Sequence, residues 1–295
     1  LVPAAQIKRV VTDLVTRLTK DQDHLKTGFV GTPFICQVLS KYGEHKLATK
    51  IFLQEDLPSW LYAVNMGATT IWERWNSVEP DGSMNPEGMN SLNHYSIGAI
   101  MEWAYKYVLG IREHSVGYQK VTFAPEFDYR LKKISGHFDT GFGRLAVSYA
   151  IEQDANHRIA VNLTVPFGMT VTVQLPRATQ VTVNGEEKDN GFELTCGQYT
   201  MSYLPTADYV ERYTPDTTAA EIMADAELVA KIDAIDPVLD FFRRDPDAVK
   251  GGLGRMSLTK LNTLLPFINI PAEHLAQING VLKETPILSE RGGLQ

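Results

Sequence analysis

The spacing of the apolar residues changes twice along this chain, and those changes divide it into three regimes. Up to about residue 112 the spacing is helical. Ile7, Val10, Val11, Leu14, Val15 and Leu18 fall on one stripe, as an amphipathic helix requires. Thr32-Pro33 is expected to open a second helix, with Thr as N-cap and Pro first inside, and Gly43 to end it. A third helix carries Leu47, Ile51 and Phe52, and a fourth begins around Pro58. The strongest periodicity spans Leu92 to Leu109, with Ser91 as cap and Gly110 as stop. A breaker-rich loop runs from Val78 to Gly88. At about Gly117 the period drops to two. Val121–Phe123, Leu145–Tyr149, Ile159–Leu163 and Val171–Val173 read as β-branched, two-faced strands, and Asn184-Gly185 and Asn190-Gly191 as hairpin turns. About eight short strands between Gln119 and Leu204 predict an antiparallel β-sandwich. From Thr214 the spacing is helical again: Ala219 to Ile235, Val238 to Arg243, a segment around Leu258–Leu265 and another over Glu273–Leu282.

A length of 295 residues exceeds one typical domain, so the expected fold is multidomain, α then β then α. Its divisions are helices over residues 1–114, a β-sandwich over 115–206 and a small helical appendage over 215–295, reached through a linker near Thr206–Thr217. A net charge of −7 argues against a nucleic-acid partner, which would demand clustered Lys and Arg. No basic amphipathic helix or long apolar run suggests a membrane. There is no CxxC, HExxH or Cys/His cluster, so no metal site and no cofactor is expected. Cys36 and Cys196 read as two buried free thiols.

The densest chemistry is Ala68-Thr69-Thr70-Ile71-Trp72-Glu73-Arg74-Trp75-Asn76. Indoles beside a carboxylate favour its protonated form and a cation opposes this, a balance suited to a base that is ionised at rest. Trp72 and Trp75 would also suit the C–H face of a sugar. Composition leaves open a structural Glu73–Arg74 pair among core tryptophans. His94 is expected in the first helical turn, on or near the inner face, where the positive helix end favours a neutral ring. Taken alone, such a histidine is more often a satisfied core residue. Glu79, Asp81 and Glu87 read as loop solvation.

Three blocks, Thr27-Gly28-Phe29-Val30-Gly31-Thr32-Pro33, Ala68 to Asn76, and Met89-Asn90-Ser91-Leu92-Asn93-His94-Tyr95, together resemble glycoside hydrolase family 78, the α-L-rhamnosidases. The stretch Gln119–Leu204, with Val121-Thr122-Phe123-Ala124-Pro125, is similar to the C-terminal sandwich of those enzymes. The resemblance covers roughly residues 1–205 and leaves the appendage unmatched. It implies that the N-terminal helices are the second half of an (α/α)6 toroid and that the enzyme inverts anomeric configuration. It places Glu73 on the general base, His94 on a sugar-binding histidine, and Trp72 and Trp75 at the sugar pocket. Asn76 stands where many relatives carry Asp. The acidic stretch that holds the family's general acid has no counterpart here, so an isolated chain is expected to be inactive and truncated, with the missing N-terminal part of the same enzyme as its partner. Rhamnose-containing glycosides are the implied substrates, a homodimer is a possible assembly, and a bacterial cytoplasm or periplasm the expected compartment. The competing readings are a non-catalytic carbohydrate-binding or scaffolding fragment, and another (α/α)6 glycosidase.

Overall fold

A computed structural model describes residues 2–21, 23–151, 157–206 and 212–287. The chain forms two compact units, residues 1–209 and 210–295. No helix among the described residues is long and apolar enough to cross a membrane.

The first unit begins with α1 (Ile7–Lys20), α2 (Thr32–Lys41), α3 (His45–Phe52) and α4 (Trp60–Asn65). Thr32 lies inside α2 rather than capping it, because its hydroxyl turns back onto the carbonyls of Gly28 and Thr27. Ser59 caps α4 by accepting from the Tyr62 N–H. Leu25, Leu39, Ala48, Ile51, Trp60 and Trp103 form the helical core. The stripe of α1 is only partly covered: Leu18 is buried, while Val10 is exposed.

The expected helix over Leu92–Leu109 starts later and is irregular. A 3₁₀ turn at Ser96–Ala99 leads into α5 (Ile100–Trp103), which opens into a π turn at Ala104–Val108. The late start has a local cause. Backbone N–H groups of Ser91 and His94 are spent on Glu73 and Ile71, so they cannot begin a helix. Gly110, at φ +82°, ends the segment as expected.

Ten strands follow among the described residues: β1 (Ile111–Glu113), β2 (Lys120–Phe123), β3 (Lys133–Thr140), β4 (Gly143–Ile151), β5 (Ile159–Val165), β6 (Thr170–Val173), β7 (Ala178–Val183), β8 (Glu186–Glu187), β9 (Phe192–Leu194) and β10 (Gly197–Pro205). They make two sheets, ordered β1-β2-β6-β9 and β3-β4-β5-β10-β7-β8, with β2 and β6 the one parallel pair. Alternate residues face inward: Leu145, Val147 and Tyr149 from β4, and Val161, Leu163 and Val165 from β5, are buried. Asn184-Gly185 turns between β7 and β8, both residues at positive φ. Asn190-Gly191 does not make a hairpin. It carries the chain from one sheet to the other, because β8 pairs with β7 whereas β9 pairs with β6. Cys36 is buried in α2, but Cys196 is exposed, contrary to expectation, since it sits in the short turn between β9 and β10.

The second unit holds α6 (Ala219–Met223), α7 (Ala226–Asp233), α8 (Asp240–Arg244), α9 (Pro246–Lys250), α10 (Leu258–Leu264) and α11 (Ala272–Glu284). The run from Ala219 to Ile235 breaks in two because buried Asp225 caps α7, accepting from the N–H groups of Glu227 and Leu228. Ile222, Leu228, Ile232, Leu261 and Ile278 centre its separate core.

Candidate active site

Two irregular strips lie side by side in the first unit. The Glu73 N–H donates to the Ser91 carbonyl at 2.9 Å and the His94 N–H to the Ile71 carbonyl at 2.8 Å. Thr70 Oγ1 donates to the Leu92 carbonyl. These bonds place Glu73 and His94 on one short ribbon without a regular element beneath either.

Glu73 lines an open hollow of about 250 Å³, together with Thr27, Gly28, Phe29, Trp75 and Ile97. Its Oε2 accepts from the Ser91 N–H at 3.0 Å. Its Oε1 takes no hydrogen bond from the described residues, and Glu73 is the one carboxylate among the described residues lining the hollow. Arg74 does not pair with it. Its guanidinium binds Glu87 at 2.7 Å instead, so Glu87 anchors the loop rather than merely solvating it. Asn76 donates to Glu79 at 3.0 Å.

The two tryptophans separate. Trp75 lines the hollow, its edge against Trp60 at 5.0 Å and its indole N–H on the Thr27 carbonyl at 3.4 Å. Trp72 is 5% exposed, outside that lining, and meets Tyr62 edge-on at 6.4 Å. The adjacent residues Trp72 and Glu73 thus differ: Glu73 lines the hollow and Trp72 is buried outside it.

His94 sits between two rings, Phe29 at 5.3 Å and Tyr95 at 5.2 Å, both stacked. Its Nδ1 accepts from the Ser96 N–H at 3.2 Å. An accepting Nδ1 carries no proton, so the neutral ring bears its hydrogen on Nε2. His94 itself is outside the lining of the hollow and reaches it through Phe29. Residue-level reasoning overlooked Phe29; the Thr-Gly-Phe block was its only signal.

Residues 1–108 match the bacterial α-L-rhamnosidase six-hairpin glycosidase domain, and residues 110–190 match the C-terminal domain of the same enzymes. Residues 1–190 thus carry two domains of the bacterial α-L-rhamnosidases. An α-L-rhamnosidase from Alteromonas sp. (strain LOR) is 35% identical over 208 residues, 69% of this chain and 22% of that protein. One from Formosa agariphila is 38% identical over 183 residues, 61% and 19% of the two chains. The crystal structure of the Streptomyces avermitilis α-L-rhamnosidase complexed with L-rhamnose superposes with a TM-score of 0.62 at 30% identity, covering 68% of this chain and 20% of that one. The chain thus spans about a fifth of the length of the α-L-rhamnosidases it matches.

Proposed function

We propose that Glu73 is the general base of an inverting α-L-rhamnosidase that releases terminal L-rhamnose. The observation that supports this is the state of its carboxylate: one oxygen is tethered by a backbone N–H, the other has no hydrogen bond from the described residues, and the residue lines a hollow of about 250 Å³. A water bound at Oε1 would give its proton to the carboxylate while its oxygen attacks the anomeric carbon, opposite the leaving oxygen. The tether costs the base little reach and fixes its direction. Trp75 and Phe29 offer faces to sugar C–H groups. A rhamnose that extends past Phe29 would meet His94 Nε2–H as a donor for one of its hydroxyls. Trp72 supports the strip from behind.

Inversion needs a second carboxyl about 6.5–9.5 Å from the base, to protonate the leaving oxygen. We place that acid outside these 295 residues, in a portion of the catalytic domain that packs over the rim, and so expect the chain alone to turn over little. The exposed apolar residues of these helices fit this: Val30 is 86% and Tyr95 87% exposed, and Phe34 and Val10 are exposed too. In this reading residues 1–114 are catalytic-domain helices, 115–206 the C-terminal sandwich and 215–295 a helical appendage.

A chimera tests the assignment. Residues 1–206 would replace the matching segment of a full-length α-L-rhamnosidase, assayed on an aryl α-L-rhamnoside. Glu73→Gln should lower kcat about 10²–10⁴-fold, with β-L-rhamnose the first product of the unmutated chimera by NMR. Near-unchanged turnover in Glu73→Gln refutes the base. Sugar binding with no hydrolysis in the chimera favours the scaffolding alternative.

A further inference from the structure

A second cleft, of about 580 Å³, opens in the first unit where the π turn meets the sandwich. It is larger than the hollow at Glu73 and within the usual range of roughly 300–1,000 Å³ for small-molecule sites. Its walls are aromatic: Tyr118 and Phe138 lie 4.7 Å apart, Tyr105 meets Phe138 edge-on at 5.9 Å, and none of the three rings is fully buried. Two acids and two bases stand among them, Glu102, Glu113, Lys106 and Arg112, so their formal charges cancel. Each is already held: Lys106 on Glu102, Arg112 on the carbonyls of Lys106 and Ala124, and Glu113 on the Gly117 N–H. Burial keeps the Tyr107 and Tyr118 phenols protonated by raising their pKa.

Two backbone irregularities converge here. The chain widens into a π turn that presents Tyr105, Lys106 and Tyr107, closed by a bond from the Leu109 N–H to the Ala104 carbonyl. Such turns concentrate at functional sites. Tyr118 is held at φ +62°, where a ring-bearing residue is strained and glycine would be at ease. The strained position sets the Tyr118 ring against Phe138 and so puts an aromatic face on the cleft.

We infer that this cleft is an ancillary binding site for a neutral oligosaccharide, whose pyranose faces lie on Tyr118, Phe138 and Tyr105. Balanced, prearranged charges favour neither an anion nor a cation, and they leave donors and acceptors for hydroxyls; flat rings suit the C–H faces of a sugar. The inference is independent of Glu73, since the two lining sets share no residue.

The whole chain, labelled with ¹³C-methyl methionine, reports on the cleft through Met101, which lines it and is 53% exposed. Its signal is assigned with Met101→Leu. Titration with cellotriose, xylotriose and a rhamnose trisaccharide should give a saturable Met101 shift for at least one, and trigalacturonate a weaker one. Tyr118→Gly deletes the ring and relieves the backbone together, so it should fold normally and bind about tenfold more weakly or worse; Phe138→Ala should do the same. Glu73→Gln should leave the titration unchanged. The idea fails if no neutral trisaccharide moves Met101, if trigalacturonate binds best, or if a folded Tyr118→Gly binds as the unmutated chain does. Should a variant misfold, the wild-type titration decides alone.

Discussion

His45, in α3, is a buried titratable group in the helical part of the first unit. Its ring is 4% exposed and lies against Trp103 at 5.7 Å. The Trp103 indole donates to Ser40 Oγ at 2.8 Å, leaving the Ser40 hydroxyl to donate to His45 Nδ1, also at 2.8 Å. The ring hydrogen is then on Nε2, which has no partner among the described residues. Desolvation pushes the pKa down to about 4, against the attraction of Asp128 and with the repulsion of Arg177, Arg130 and Arg112. Unfolded, this histidine titrates near its ordinary value of about 6.5. Between those values the unfolded chain binds a proton that the folded chain refuses, so stability falls as pH drops from about 6.5 towards 4 and His45 adds no slope above that window. His45→Gln should flatten this decline, worth a few kcal/mol at most, whatever it does at neutral pH. Urea midpoints from pH 4 to 7 measure it; an unchanged slope would locate the acid sensitivity elsewhere. At Glu73 the same scale of argument gives the opposite design: a carboxylate half-buried, tethered once and otherwise open.

Among the elements, the junctions carry the specificity. Gly110 ends the π turn at φ +82°, and a Cβ there would meet the Pro125 nitrogen at 2.5 Å. Gly110→Ala therefore combines backbone strain with a clash against fixed backbone. A loss of about 2 kcal/mol or more is expected in chemical denaturation. Asn190 works by imitation of a strand. Its amide donates to the Leu175 carbonyl at 2.7 Å and accepts from the Leu175 N–H at 2.9 Å, closing the ladder where the chain changes sheets. Asn190→Ala leaves both Leu175 groups without that partner, at a cost of about 1–3 kcal/mol. Asn190→Asp keeps the acceptor alone and should fall between.

For the whole molecule, two independent cores imply two cooperative transitions. Residues 212–287 bury their own apolar set around Ile222, Leu228, Leu261 and Ile278. Calorimetry of the chain should resolve two endotherms, and residues 210–295 expressed alone should give a dispersed amide NMR spectrum. One endotherm for the whole chain, with residues 210–295 unfolded when expressed alone, would contradict this. In the first unit the exposed apolar side chains Val30, Phe34 and Tyr95 predict concentration-dependent association of the isolated chain, measurable by sedimentation and relieved in the chimera.

Periodicity alone located the helices, the strands and the second helical region, because burying one face imposes a period of 3.6 or 2 on any such element. The three sequence blocks likewise pointed to the family that the domain matches over residues 1–108 and 110–190 bear out. Tertiary structure decided the rest. Only packing revealed that Trp75 faces the hollow while Trp72 lies behind it, that Arg74 pairs with Glu87, and that Asn190-Gly191 joins two sheets rather than two neighbours. The start of the Ser96 helix was also beyond a local reading, because the N–H groups of Ser91 and His94 are claimed by residues about twenty positions away. Hydrogen bonds and ring contacts between distant segments leave no period in the sequence, so they become visible only when the chain has folded.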